Sequence, residues 1–127
     1  MKVKMQLKDI VTLYHTLKTI IDSDRELKID ALFKFKLLGI MKSIETPVTN
    51  FDFIRNEKIQ EYGTQDEQGR FSISPDNQEA VRKFTEDMEK VTSSEIDISI
   101  EKLKAKEAFA SGMPADLLIG LYHIMEE

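Results

Sequence analysis

The chain has 127 residues, of which 41% are hydrophobic and 32% charged, a balance that places it among globular rather than disordered proteins. At 14.7 kDa it has the length of a single domain over residues 1–127, and folding should leave ~6,900 Å² of surface out of ~21,000 Å² in the unfolded chain. The absence of cysteine excludes a disulfide scaffold, a Cys-ligated zinc or iron–sulfur site and a thiol nucleophile, and the formal net charge of −5 argues against general nucleic-acid binding.

From Met1 to Leu7, apolar Met1, Val3, Met5 and Leu7 alternate with Lys2, Lys4 and Gln6. Strict alternation predicts a half-buried strand, and the same stretch lacks the apolar run of a signal peptide. A helical period follows over about Lys8 to Asp22, with Leu7, Ile10, Val11, Tyr14, Leu17 and Ile21 on one stripe. Ser23 or Asp24 can cap the next helix.

Arg25 to Glu45 is the most apolar segment. Ile29, Leu32, Phe33, Leu37, Ile40 and Ile44 form one stripe, while Ala31, Phe35, Leu38 and Met41 fall outside it. A helix that is apolar on more than one side either sits centrally in the core or meets a partner. Beyond Pro47 the period resumes at Phe51, Ile54, Lys58, Ile59 and Tyr62, so either one helix kinks at the proline or two helices meet there. Gly63 should end this region at Tyr62. The longest apolar run, Leu37 to Met41, is too short to span a membrane.

Thr64 to Arg70 is polar and turn-rich, and Phe71 with Ile73 alternates as a short strand. Ser74-Pro75-Asp76 reads as the cap and first turn of a helix using Ala80, Val81, Phe84, Met88 and Val91 and fraying near Ser93. Glu95 to Glu101 is a second alternating strand, with Ile96, Ile98 and Ile100 inward. Residues 102–112 read as irregular. Pro114 should open a last helix that buries Leu117, Leu118, Leu121, Tyr122 and Met125.

The two strands suit each other: Lys2 and Lys4 lie on the outer face of one, Glu95 and Asp97 on that of the other. Opposite charges across neighbouring strands stabilise by roughly 0.2–1 kcal/mol per pair. The expected fold is therefore α+β and mainly helical, with three or four helices packed on a small two- or three-stranded sheet that pairs residues 1–7 with 95–101. Charge also divides the chain. Residues 1–60 hold 11 basic and 8 acidic side chains, a balance of +3; residues 61–127 hold 7 and 15, a balance of −8. Such halves attract each other in folding, or present faces of opposite sign to a partner.

Catalytic and metal-binding patterns are not found. His15 and His123 lack further ligands at helical spacing and read as surface or boundary residues. Asp66-Glu67-Gln68-Gly69 resembles part of a calcium loop, but with Gly69 at loop position six, positions one and twelve fall on Thr64 and Pro75, neither of them acidic. Glu86, Asp87 and Glu89 read as a solvated helix face. The glycines do not cluster into a phosphate-binding loop, and no serine sits in a nucleophile elbow. Lys34, Lys36 and Lys42 with Phe33 and Phe35 are better read as core aromatics with flanking charge than as a nucleic-acid surface. These patterns predict no enzyme, no cofactor and no bound metal.

The overall layout resembles a family of small phage and prophage proteins of unknown function. The features that carry the resemblance are the lysine-alternating start running into a helix (Met1 to Leu17), the long helical region ending in Ile59-Gln60-Glu61-Tyr62-Gly63, the acidic turn Asp66 to Gly69, the strand Glu95-Ile96-Asp97-Ile98 and the leucine-rich end closing on Glu126-Glu127. The resemblance implies a viral origin, a non-enzymatic role and a location in the host cytoplasm or the virion. It supplies no functional residues. The expected activity is binding to a protein of phage or host, or to a second copy of the chain, with no membrane and no direct nucleic-acid contact. The role would be in the virion or its assembly, or in inhibition of a host defence protein; the alternative is an acidic nucleic-acid mimic that blocks a DNA-binding host protein. The candidate contact residues are Phe35, Leu38 and Met41, with the acidic second half as the competing surface.

Overall fold

Alternation yields a strand over Lys2–Gln6 (β1), and helical periodicity takes over immediately in Leu7–Asp22 (α1). The computed structural model describes residues 2–22, 29–113 and 115–126. The cap expected at Ser23 or Asp24, the helix start near Arg25 and the helix opening at Pro114 lie outside the described residues. Helix α1 buries Leu7, Ile10, Leu13, Leu17 and Ile20. Its buried face is thus centred on Leu13 and Leu17, with the expected Val11 and Tyr14 at its margin and Ile21 only half-buried.

The next element is one unbroken helix, Ala31–Tyr62 (α2), which continues through Pro47. Thirty-two residues give a rod of about 48 Å. Asp30 starts it, its carboxylate accepting the Phe33 N–H at 3.1 Å. Pro47 has no N–H for the Ser43 carbonyl, and proline inside a helix costs ~3 kcal/mol. Buried Ile40, Ile44 and Val48 flank it, and each fully buried aliphatic side chain stabilises by about 1.5–3 kcal/mol. Packing on both sides of the proline therefore outweighs the lost bond. Leu32, expected on the buried stripe, is exposed; the stripe runs through Ile29, Phe33, Leu37, Ile40, Ile44 and Val48.

The helix stops where expected. Gly63 N–H donates to the Ile59 carbonyl at 2.8 Å. A left-handed backbone is not the reason for this glycine, because its φ is −95°. Space is the reason: a Cβ would lie 2.6 Å from the Ser72 carbonyl oxygen and would also strike that of Ile59. Ser72 belongs to a hairpin in which Thr64–Gln65 (β2) pairs antiparallel with Phe71–Ser72 (β3). The Asp66 carboxylate closes its turn by accepting the N–H groups of Gln68 and Arg70 at 2.8 and 2.9 Å. Gly69 takes the positive φ, 81°, that the turn requires.

The third long helix, Gln78–Thr92 (α3), begins later than Ser74-Pro75-Asp76 suggested. Those three residues form a turn instead, in which the Ser74 carbonyl accepts the Asn77 N–H at 3.0 Å. Asn77 is the cap, its side-chain oxygen accepting the Ala80 N–H at 3.1 Å. Only Ala80 and Met88 of α3 are buried; Val81 is exposed and Phe84 and Val91 are intermediate.

Glu95–Ser99 (β4) pairs antiparallel with β1 in the register Lys2–Ser99, Val3–Ile98, Lys4–Asp97, Met5–Ile96 and Gln6–Glu95. The expected pairing of the chain's start with residues 95–101 is present, and Lys4 stands opposite Asp97. Residues 102–112 are not irregular. They hold Leu103–Lys104 (β5) and the helix Ala105–Ala110 (α4), which ends at Ser111 and at Gly112 with φ 87°. The buried Ser111 returns to the core's edge: its carbonyl accepts the Asp30 N–H at 3.2 Å.

The last helix is shorter than expected, Ala115–Ile119 (α5), followed by a 3₁₀ turn over Tyr122–Ile124 and the strand Met125–Glu126 (β6) parallel to β5. The 3₁₀ turn changes the period to three, so Leu118, Leu121 and Ile124 are buried and Tyr122 faces solvent. The result is an α+β, mainly helical fold with three two-stranded sheets among the described residues. One cluster of buried side chains joins α1, the first half of α2, β4 and the residues after it. No residue of α2 beyond Val48 is fully buried. Consistent with that thin end, the accessible surface is 8652 Å², about a quarter above the value expected from mass alone. None of the described helices is long and apolar enough to cross a membrane.

The cap assignment has a direct test. Asn77→Ala should lower stability in chemical denaturation by about 1 kcal/mol, while Ser74→Ala should cost less than half of that. Equal losses would return the cap to Ser74.

Candidate protein-interaction surface

The apolar surplus of α2 lies on its outer side. Phe35 is 73% exposed and Leu38 40%, whereas Met41 packs against the core at the margin of the buried face. Of the three expected contact residues, the structure therefore presents two to solvent. Leu32 and Phe53 add to them, at 63% and 65% exposure. Phe53 lies 18 residues beyond Phe35, five full turns of an α-helix, so the two rings project from the same line. Between them that line carries Gly39, Lys42, Thr46 and Thr49, all exposed.

A shallow groove of about 350 Å³ runs beside Phe35, Gly39 and Ser43, with Ser99, Ile100 and Glu101 on its far wall. Nothing lies within 4 Å of the position a Gly39 Cβ would occupy. Lys36 borders the groove and donates to Glu107 at 2.8 Å, joining α2 to α4. This hydrogen bond holds the Glu107 carboxyl below the ordinary carboxylate range and raises the Lys36 ammonium, with Glu101 adding to the latter.

Two other apolar surfaces lie elsewhere. One is a groove of about 570 Å³ where Ile59, Phe71, Val81 and Phe84 converge, with Arg55 alongside. The other is a cleft of about 450 Å³ near the end of the chain, lined by Phe109, Ile119, Tyr122 and Met125. Of the seven phenylalanines, only Phe33 belongs to the buried core, while Phe35, Phe53, Phe71 and Phe109 are exposed.

The acidic half of the sequence does not form a uniform surface on α3. Arg82 pairs with Glu86 at 2.9 Å and with Glu79 at 3.5 Å, and Lys83 reaches Glu79 at 3.6 Å. Asp87, expected on a solvated face, turns toward α2. It accepts a 2.5 Å hydrogen bond from the Tyr62 hydroxyl and lies 3.6 Å from Lys58. The bond from Tyr62 and then the charge of Lys58 hold the Asp87 carboxyl below its usual range, and the same bond raises the Tyr62 hydroxyl. His15 and His123 are both exposed, each edge-on to the tyrosine before it. Among the described residues, no three acidic or histidine side chains are grouped so as to hold a metal ion.

Comparison of the chain with protein-family models, with curated proteins and with solved structures found no match.

The Tyr62–Asp87 bond predicts an acid dependence of known sign. A carboxyl depressed in the folded state contributes stability at pH above its unfolded value, near 3.8, and loses it as pH falls through the folded value. Thermal melts of the wild type and Tyr62→Phe should therefore differ at neutral pH and converge in strong acid. A difference that persists unchanged at the lowest pH would show that the hydroxyl acts through packing alone.

Proposed function

We propose that this chain is a non-enzymatic protein-interaction module that binds through the outer face of α2. The observation that carries this reading is the row of exposed Leu32, Phe35 and Leu38 on a helix whose opposite face is already committed to the core. Large apolar side chains standing in water on a rigid helix are the anchors that protein interfaces use. The resemblance of the sequence layout to small phage and prophage proteins supports a viral setting, in the host cytoplasm or the virion. There the module serves virion structure or assembly, or inhibits a host defence protein.

The acidic-mimic reading stands second, because the carboxylates of α3 are interleaved with Arg82 and Lys83 instead of forming a single-sign stripe. The two readings separate by salt. Association through apolar anchors changes little with ionic strength, whereas a nucleic-acid mimic loses affinity steeply.

Phe35→Glu tests the leading reading. The variant should melt like the wild type, because the ring contributes little to the core. It should lose at least about 2 kcal/mol of partner binding, roughly 30-fold in affinity, in a titration against the protein it captures. Full binding by a folded Phe35→Glu would remove this face from consideration.

A further inference from the structure

We infer that the occupant of the outer face of α2 is a second copy of the same chain, lying antiparallel across it. This deepens the reading above and rests on it for the identity of the face. Along the exposed line, Phe35, Gly39, Lys42, Thr46, Thr49 and Phe53 are spaced four, three, four, three and four residues apart. That is the spacing of a two-helix seam. The large side chains stand at the two ends of this line, and the residues between them are glycine, two threonines and one lysine. A parallel copy would stack like on like. An antiparallel copy, related by a two-fold axis level with residue 44, sets Phe35 of each chain against Phe53 of the other. The seam then closes at both ends with one aromatic pair each, while the small residues between let the helices approach.

The groove between α2 and residues 99–101 flanks this line beside Phe35 and Gly39, within reach of an incoming Phe53 ring, and Gly39 has no side chain to obstruct the approach. A two-fold contact is self-complementary, so one such pairing is automatically made twice.

Charge selects the same orientation. Residues 31–44 of α2 hold Lys34, Lys36 and Lys42 and no acid, a balance of +3. Residues 45–62 hold four acids, Glu45, Asp52, Glu57 and Glu61, against Arg55 and Lys58, a balance of −2. Lys36 is already paired with Glu107, and Lys58 with Glu61, within the chain. The two halves still differ in sign, so antiparallel packing lays the basic half of each helix on the acidic half of the other, whereas parallel packing opposes like charges. Nearest the axis, Lys42 and Glu45 of one copy meet Glu45 and Lys42 of the second copy on the same flank, an alternating set of four charges.

The absence of cysteine makes the register directly testable. Sedimentation equilibrium of the full chain from low-micromolar to near-millimolar concentration should show a mass that rises from one chain to two. Phe35→Glu and Phe53→Glu should each raise the dissociation constant at least about 30-fold, with melting curves taken at low concentration unchanged. Single variants Lys42→Cys and Thr46→Cys, mixed in equal amounts and oxidised, should cross-link mainly between position 42 of one chain and position 46 of the other. A constant one-chain mass overturns the inference, and so does a dimer indifferent to Phe53→Glu. Predominance of 42–42 and 46–46 products overturns the antiparallel arrangement. If the chain stays single while Phe35→Glu still abolishes capture of a different protein, the second copy fails and the proposed function stands. If the chain pairs as described and binds no other protein, the face is one of self-assembly.

Discussion

The structure depends on a helix that does not stop at its proline. Pro47 takes a hydrogen bond from the middle of α2, and in an isolated peptide that loss would end the helix. It continues because Ile40, Ile44 and Val48 are already buried against the rest of the core on either side of the gap. A continuous α2 then serves as the spine. Helix α1 packs along its first half, and α3 with the β2–β3 hairpin packs along its second. Glycine at position 63, where any side chain would collide with the hairpin backbone, lets the chain turn back tightly enough to make that second layer.

Burial along this spine is uneven. The fully buried stripe runs from Phe33 to Val48, just past the proline, and beyond it the apolar side chains Phe51, Ile54, Ile59 and Tyr62 are only half-buried. The attachment there includes the polar bond from Tyr62 to Asp87, with Lys58 close to both. Polar links of this kind orient two elements more than they bind them, since exposed ion pairs contribute little net stability. The thin end therefore owes its place to a few apolar contacts and to the close approach at Gly63.

Aromatic residues outside the core are the feature from which the proposed function is argued. A domain of this size has room to bury its large side chains, yet four of its seven phenylalanines face water. On α2, Phe35 and Phe53 are exposed on a face that no other element covers among the described residues, at a spacing that keeps them in line. Contiguous exposed apolar side chains of this kind are what the proposed interaction rests on.

Much of this could be read from the residues alone. Alternation in Lys2–Gln6 and Glu95–Ser99, with opposite charges on their outer faces, was enough to pair two strands some ninety residues apart. Helical period located α1, the stretches of α2 on both sides of Pro47 and α3, and the surplus of apolar residues around Phe35 and Leu38 pointed to the outer face. The sequence alone left three matters open, each for a physical reason. Continuity through Pro47 depends on burial on both sides of the proline, which local propensity does not contain. Until that continuity is known, Phe35 and Phe53 have no common line. The end of the chain misled the period-based reading because a 3₁₀ turn replaced the α-helix after Gly120 and exchanged Tyr122 for Ile124 in the core. Short elements are set by the space that the larger ones leave, and that space exists only in the tertiary structure.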